Sequence, residues 1–172
     1  MSTLFPVPAL EPVSEDEARS IILEWGRLHD LQVGLSAFLP VIATDGFYMR
    51  FGDKQWVGYA DFEAHQIAKR RFFDEIHDYT SIHVAVQEPF TMARTVMLWT
   101  YRHRPENSPT SQLLKARIEH TWEFRRCPTS GRAFMQGHVV DRFEYIDGFR
   151  PVSAEQAAHG EDPHLDPRWT TR

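Results

Sequence analysis

Gly137-His138-Val139-Val140-Asp141-Arg142-Phe143-Glu144-Tyr145-Ile146-Asp147-Gly148 decides how the rest of the chain is read. At period two, Val139, Asp141, Phe143 and Tyr145 share one face while His138, Val140, Arg142 and Glu144 share the other, the pattern of a half-buried strand. Asp147-Gly148 then supplies turn chemistry. The misfit is Asp141, a carboxylate on the apolar face, where desolvation favours the neutral acid. It is the first candidate for chemistry.

Upstream, the same period predicts strands at 80–88, 91–103, 112–126 and 132–146. Glu88-Pro89, Glu106-Asn107-Ser108-Pro109 and Cys127-Pro128-Thr129-Ser130-Gly131 separate them, and connections this short imply antiparallel neighbours. A last short strand is expected over Phe149 to Val152. Before residue 80 the period changes to 3.6. A helix is predicted from beyond Gly58 to about Asp78, with Phe62, Phe72, Phe73 and Ile76 on one face and His65 and Lys69 inside that cluster. Phe47, Met49 and Phe51 alternate into a first strand that ends at Gly52-Asp53. Ser36 to Ala43 reads as a short helical piece disturbed by Pro40. Ser14 and Glu17 form a capping box, and Ala18, Ile21, Ile22, Trp25, Leu28 and His29 continue an amphipathic helix to about Asp30. Residues 1–13 contain three prolines and read as an extended arm, and residues 153–172 as a polar tail. Helices first and a meander afterwards make residues 14–152 one α+β domain, with helices on one face of a curved antiparallel sheet.

Composition narrows the partners. A chain of 172 residues, 42% hydrophobic and 25% charged, has an ordinary globular balance and can bury a core without staples. A formal net charge of −5 argues against nucleic acid, which needs a basic footprint. The single cysteine, Cys127, allows no intrachain disulfide and suits a reducing compartment. No apolar run approaches the roughly 20 residues of a membrane helix, and the first residues do not read as a signal peptide. The expectation is a cytoplasmic protein without membrane contact. Paired cysteines, His-Glu-x-x-His, a phosphate loop and a dinucleotide fingerprint are all missing, so neither a metal nor a cofactor is expected.

The order of a capped helix, a short helix ending in Thr44-Asp45, a strand, Trp56-Val57-Gly58 leading into a helix, and four long strands resembles the nuclear transport factor 2-like superfamily. That superfamily includes SnoaL-like polyketide cyclases, ketosteroid isomerases and dehydratases. The resemblance covers roughly Ser14 to Val152. It implies a cystatin-like, cone-shaped barrel of a strongly curved antiparallel sheet packed on three N-terminal helices. An apolar pocket for a small hydrophobic organic ligand and a homodimer are also implied. Asp141 lies where ketosteroid isomerases carry a neutral pocket acid. The general-base position of those enzymes falls near Arg50, and the oxyanion tyrosine falls near Trp25-Gly26, so steroid isomerisation is not expected. Dehydratase relatives place an acid after the first helix and a histidine on the strand that follows the third. Asp30 and His83 occupy those regions, with His77 a rival for the second role. Trp25 stands where some dehydratases have tyrosine.

Each candidate has a bland counterpart. Asp141 either donates to a substrate oxygen or is a buried carboxylate satisfied by neighbours. His83 and Asp30 either form an acid–base couple or lie, respectively, on the solvent side of a strand and at a frayed helix end. His120 is a core histidine or a catalytic one. Trp25, His65, Trp99, Tyr101 and Trp122 line a pocket or fill a core. The expected function is cofactor-free isomerisation, dehydration or cyclisation. The alternative is a non-catalytic module for ligand binding or subunit assembly, including the small subunit of a multicomponent oxygenase.

Overall fold

The computed structural model describes residues 10–104 and 111–151. Helix α1 spans Glu15–Asp30, and its capping box forms as expected: Ser14 accepts from Glu17 N, and Glu17 returns a bond to Ser14 N at 2.9 Å. Arg126 grips the same carboxylate with two bonds, at 2.8 and 2.6 Å, and holds Glu17 down to about 2. That guanidinium also donates to the Glu11 carbonyl, so the start of the described chain is tied to the far end of the sheet. Val13 is buried in the core, while residues 10–12 have no regular structure.

Helix α2 is one turn, Leu35–Phe38, cut shorter than its sequence suggests because Pro40 cannot continue it. Strand β1 (Tyr48–Phe51) ends at Gly52-Asp53 as expected, and that pair is the two-residue turn of a hairpin with β2 (Lys54–Val57). Helix α3 spans Gly58–Lys69. It stops about nine residues before Asp78, and strand β3 already begins at Phe72 and runs to Ala85. Two irregularities in β3, between Phe73 and Ile76 and between Tyr79 and Ser81, break its alternation and imitate helical spacing. At the first of them Asp74 takes a positive φ of 51°, tolerable for Asp. Ile76, expected on the buried helix face, is 56% exposed.

Strands β4 (Thr91–His103), β5 (Gln112–Arg126) and β6 (Ala133–Tyr145) follow their expected bounds to within a residue. The sheet order is β2-β1-β6-β5-β4-β3. The meander is antiparallel, and β1 joins the other edge of β6 in parallel. Phe149 lies outside any strand, although its carbonyl accepts from Lys115 N. The remainder of the expected last strand, Val152, and the tail after it lie outside the described residues.

The result is an α+β fold with a curved six-stranded sheet packed on helices. Its core has two parts. One joins α1, α2 and α3 to the β5–β6 end through Trp25, Phe38, Phe62, Trp122 and Met135, with Met49 of β1. The other gathers Phe72, Met97, Trp99, Tyr101 and Ile118 on β3, β4 and β5. Among the described residues no helix is long and apolar enough to cross a membrane.

Candidate functional site

A cavity of about 90 Å³ opens where the two parts of the core fail to meet. One water needs roughly 10–15 Å³ on such a measure, so there is room for a small organic molecule. Trp25, Met49, Trp56, Met97, Trp99 and Ile118 supply apolar wall, and Arg50 and Phe51 come from β1. The polar lining is unusually rich in imidazole: His29, His65, His77, His120 and His138, with Lys69 and Tyr79. Among the described residues no group of three or more His, Cys, Asp or Glu could hold a metal ion.

Asp30, the last residue of α1, reaches β3. Its Oδ1 accepts from His77 Nδ1 at 2.6 Å and from the His77 backbone N–H at 3.0 Å. A carboxylate can only accept, so the imidazole proton sits on Nδ1 and the lone pair on Nε2. Burial pushes the His77 pKa below its ordinary 6.5, against the raising effect of the Asp30 bond, so the ring is neutral at pH 7. The approach of helix to strand depends on Gly26. A Cβ there would lie 2.8 Å from the Tyr79 ring and 3.2 Å from His77 Cβ. Tyr79 lines the same wall, its phenol kept protonated by burial and by the Asp30 charge.

Beside this dyad lies a buried ion pair. Lys69 Nζ meets Glu75 Oε2 at 3.0 Å, and Trp99 Nε1 donates to the same oxygen at 3.1 Å. Gln32 donates to the other oxygen at 3.3 Å and also to the Phe72 carbonyl. Lys69 further donates to His29 Nδ1 at 3.2 Å. Burial first and the Lys69 charge second force the His29 pKa well below 6.5, making it an acceptor for the lysine rather than a base for a ligand.

The other expectations divide. Trp25, His65, Trp99 and His120 line the cavity. Tyr101 and Trp122 do not; both are wholly buried in the core. His83 does not meet Asp30. Thr80 is an extra residue between the pairs Tyr79↔Met97 and Ser81↔Val96, which shifts the alternation so that His77 and Tyr79 face inward and His83 outward. His83 lies exposed in a groove with Arg94 and Thr121. Asp141 is displaced in the same way. It is the extra residue between Val140↔His120 and Arg142↔Glu119, and it is exposed, accepting from Thr121 Oγ1 at 2.7 Å. The inward set of β6 is therefore His138 and Val140, then Phe143 and Tyr145, and His138 stands on the cavity wall rather than the solvent side. Sequence alternation alone missed Tyr79, His138 and the Glu75 partner of Lys69.

No protein-family model matches the chain, and no curated protein matches it. Solved structures do. A protein of Novosphingobium aromaticivorans, provisionally assigned as an aromatic ring hydroxylase, superposes with a TM-score of 0.63 at 13% identity, over 76% of this chain and 91% of that one. A nuclear transport factor 2-like protein with a cystatin-like fold, also from Novosphingobium aromaticivorans, gives 0.51 at 18% identity over 83% and 86%. The hexachlorocyclohexane dehydrochlorinase LinA-type3 of Novosphingobium barchaimii gives 0.55 at 14% identity over 80% and 93%. The fold is the nuclear transport factor 2-like, cystatin-like fold.

Proposed function

We propose that the cavity takes a small, largely apolar organic molecule and that His77 removes a proton from one of its carbons, oriented by Asp30. The observation that carries this reading is the 2.6 Å His77–Asp30 contact on the cavity wall. Nε2 takes the proton and becomes imidazolium, which the Asp30 carboxylate stabilises. The electron pair left on carbon either forms a double bond and expels a neighbouring leaving group or moves onto an adjacent carbonyl oxygen. The reaction is thus an elimination or an isomerisation run by the chain's own side chains. A fold neighbour that is a dehydrochlorinase lends support, because loss of hydrogen chloride also removes a proton from carbon. Asp141 and His83 have no part in the step.

The test is proton exchange at the α-carbon of cyclohexanone in D2O, followed by NMR. The protein is expected to accelerate it, and His77→Ala and Asp30→Asn to abolish the acceleration. Equal rates with wild-type protein and His77→Ala would reject catalysis and leave a ligand-binding or subunit-assembly module.

A further inference from the structure

The cavity contains a pair of imidazoles that the dyad does not use. Trp122 Nε1 donates to Thr95 Oγ1 at 2.9 Å, and Thr95 Oγ1 lies 3.2 Å from His120 Nδ1. An indole N–H can only donate. Thr95 is buried, and among the described residues its hydroxyl proton has one acceptor, His120 Nδ1. Donation therefore runs in one direction, from Trp122 through Thr95, and fixes His120 as the neutral tautomer with its proton on Nε2.

His138 lies diagonally across from His120 on β6, its ring centroid 4.8 Å from that of His120 and 4.3 Å from that of Trp122. It is only 9% exposed, and among the described residues its Nε2 has no hydrogen-bond partner. A buried polar atom left unpaired is a standing cost to a fold. Here that cost is borne on the wall of a cavity that a ligand could fill.

We propose that His120 and His138 are a receptor for a neutral ligand oxygen, that of an alcohol, phenol or ketone. His120 Nε2–H donates to this oxygen. His138 Nε2 makes the second bond, accepting from a hydroxyl or donating to a carbonyl. Burial takes His120 down to about 3 and His138 well below 6.5, so at pH 7 the pair carries no charge with which to attract a carboxylate. The preferred substrate class is accordingly a small, neutral oxygenated compound rather than an oxygen-free halocarbon. This rests on the cavity being a ligand site, as proposed above, and not on proton transfer by His77.

The experiment is titration of the full chain with phenol and with fluorobenzene, which matches phenol in shape but lacks the hydroxyl. Affinities come from calorimetry, and the histidine ring nitrogens are followed by 15N NMR. Phenol is expected to bind about tenfold more tightly, the worth of one good neutral hydrogen bond, and to shift the His138 and His120 Nε2 signals. His138→Phe should reduce this preference, and the double variant His120→Phe, His138→Phe should bring the two affinities to near equality. The ring shifts are read in the unaltered protein, so the test does not depend on either variant folding. His77→Gln should retain the preference for phenol while losing the exchange activity, which separates failure of this site from failure of the dyad. Equal affinities in the wild-type protein, no binding of either probe, or a preference that survives undiminished in the double variant would overturn the proposal.

Discussion

Asp30 with His77 and Asp141 with His83 have the same chemical composition and opposite fates. The first two meet at 2.6 Å on a cavity wall. The second two lie on the outer side of the sheet, where Thr121 donates to Asp141 and shares a groove with His83. What separates them is one extra residue in each of two strands, Thr80 in β3 and Asp141 in β6. A bulge exchanges the faces of everything beyond it. Residue type therefore says little about a site until the register of its strand is known.

The comparison breaks first on rate. If the inner pair is catalytic, His77→Ala should cost about 10²- to 10⁴-fold in cyclohexanone exchange, while the outer double variant Asp141→Asn, His83→Gln keeps the wild-type rate. A comparable loss in the outer variant would erase the distinction. Next comes the ion pair beside the dyad. Glu75→Gln leaves Lys69 buried beside a neutral amide, which should cost about 3–5 kcal/mol in urea unfolding.

Acid sharpens the contrast between buried and exposed imidazole. Burial depresses the pKa values of His29, His77, His103, His120 and His138 below the ordinary 6.5, with His103 at about 4 and His120 at about 3. Between those values and 6.5 the unfolded chain holds more protons than the folded one, so stability should fall as pH falls from 6.5 and continue falling to about 3. Melting temperatures across that range check the sign, and a flat profile would contradict the burial of these rings. Gly26→Ala tests the contact that brings Asp30 to β3. It should destabilise by about 1–3 kcal/mol through overpacking against Tyr79 and should perturb the His77 ring nitrogens in NMR. The smallest effect belongs to the outer face, where Asp141→Asn should change stability by no more than about 0.5 kcal/mol.

Where a structure depends on neighbours in the chain, the sequence was readable. Ser14 and Glu17 cap α1 across three residues, and β4 and β5 follow alternation from end to end. Where it depends on a distant partner, reading failed. Phe72, Phe73 and Ile76 are spaced as on a helix face, yet all three lie on β3, where two irregularities against β4 break the alternation and leave Ile76 exposed. The resemblance to dehydratases points to Asp30 after the first helix, yet its partner depends on the phase of β3. Likewise alternation places His138 on the polar face of a strand whose phase changes at Asp141. Glu75 lies six residues beyond Lys69, but on the next strand rather than the next helical turn. Apolar periodicity has no means of showing such a pair.

The parallel pairing of β1 with β6 has a consequence in time. Tyr48 pairs with Gly137, and the glycine is required because a Cβ there would collide with the Tyr48 ring. A ribosome adding about 5–20 residues per second makes Gly137 roughly 4–18 s after Tyr48. Until then β1 has no parallel neighbour, and the wall bearing His138 does not exist. Asp30 and His77 are both made in the first half of the chain, so they can meet long before the cavity wall is complete. Binding of a ligand in the cavity would therefore report that synthesis has passed β6, and any truncation before β6 should yield a chain that does not bind.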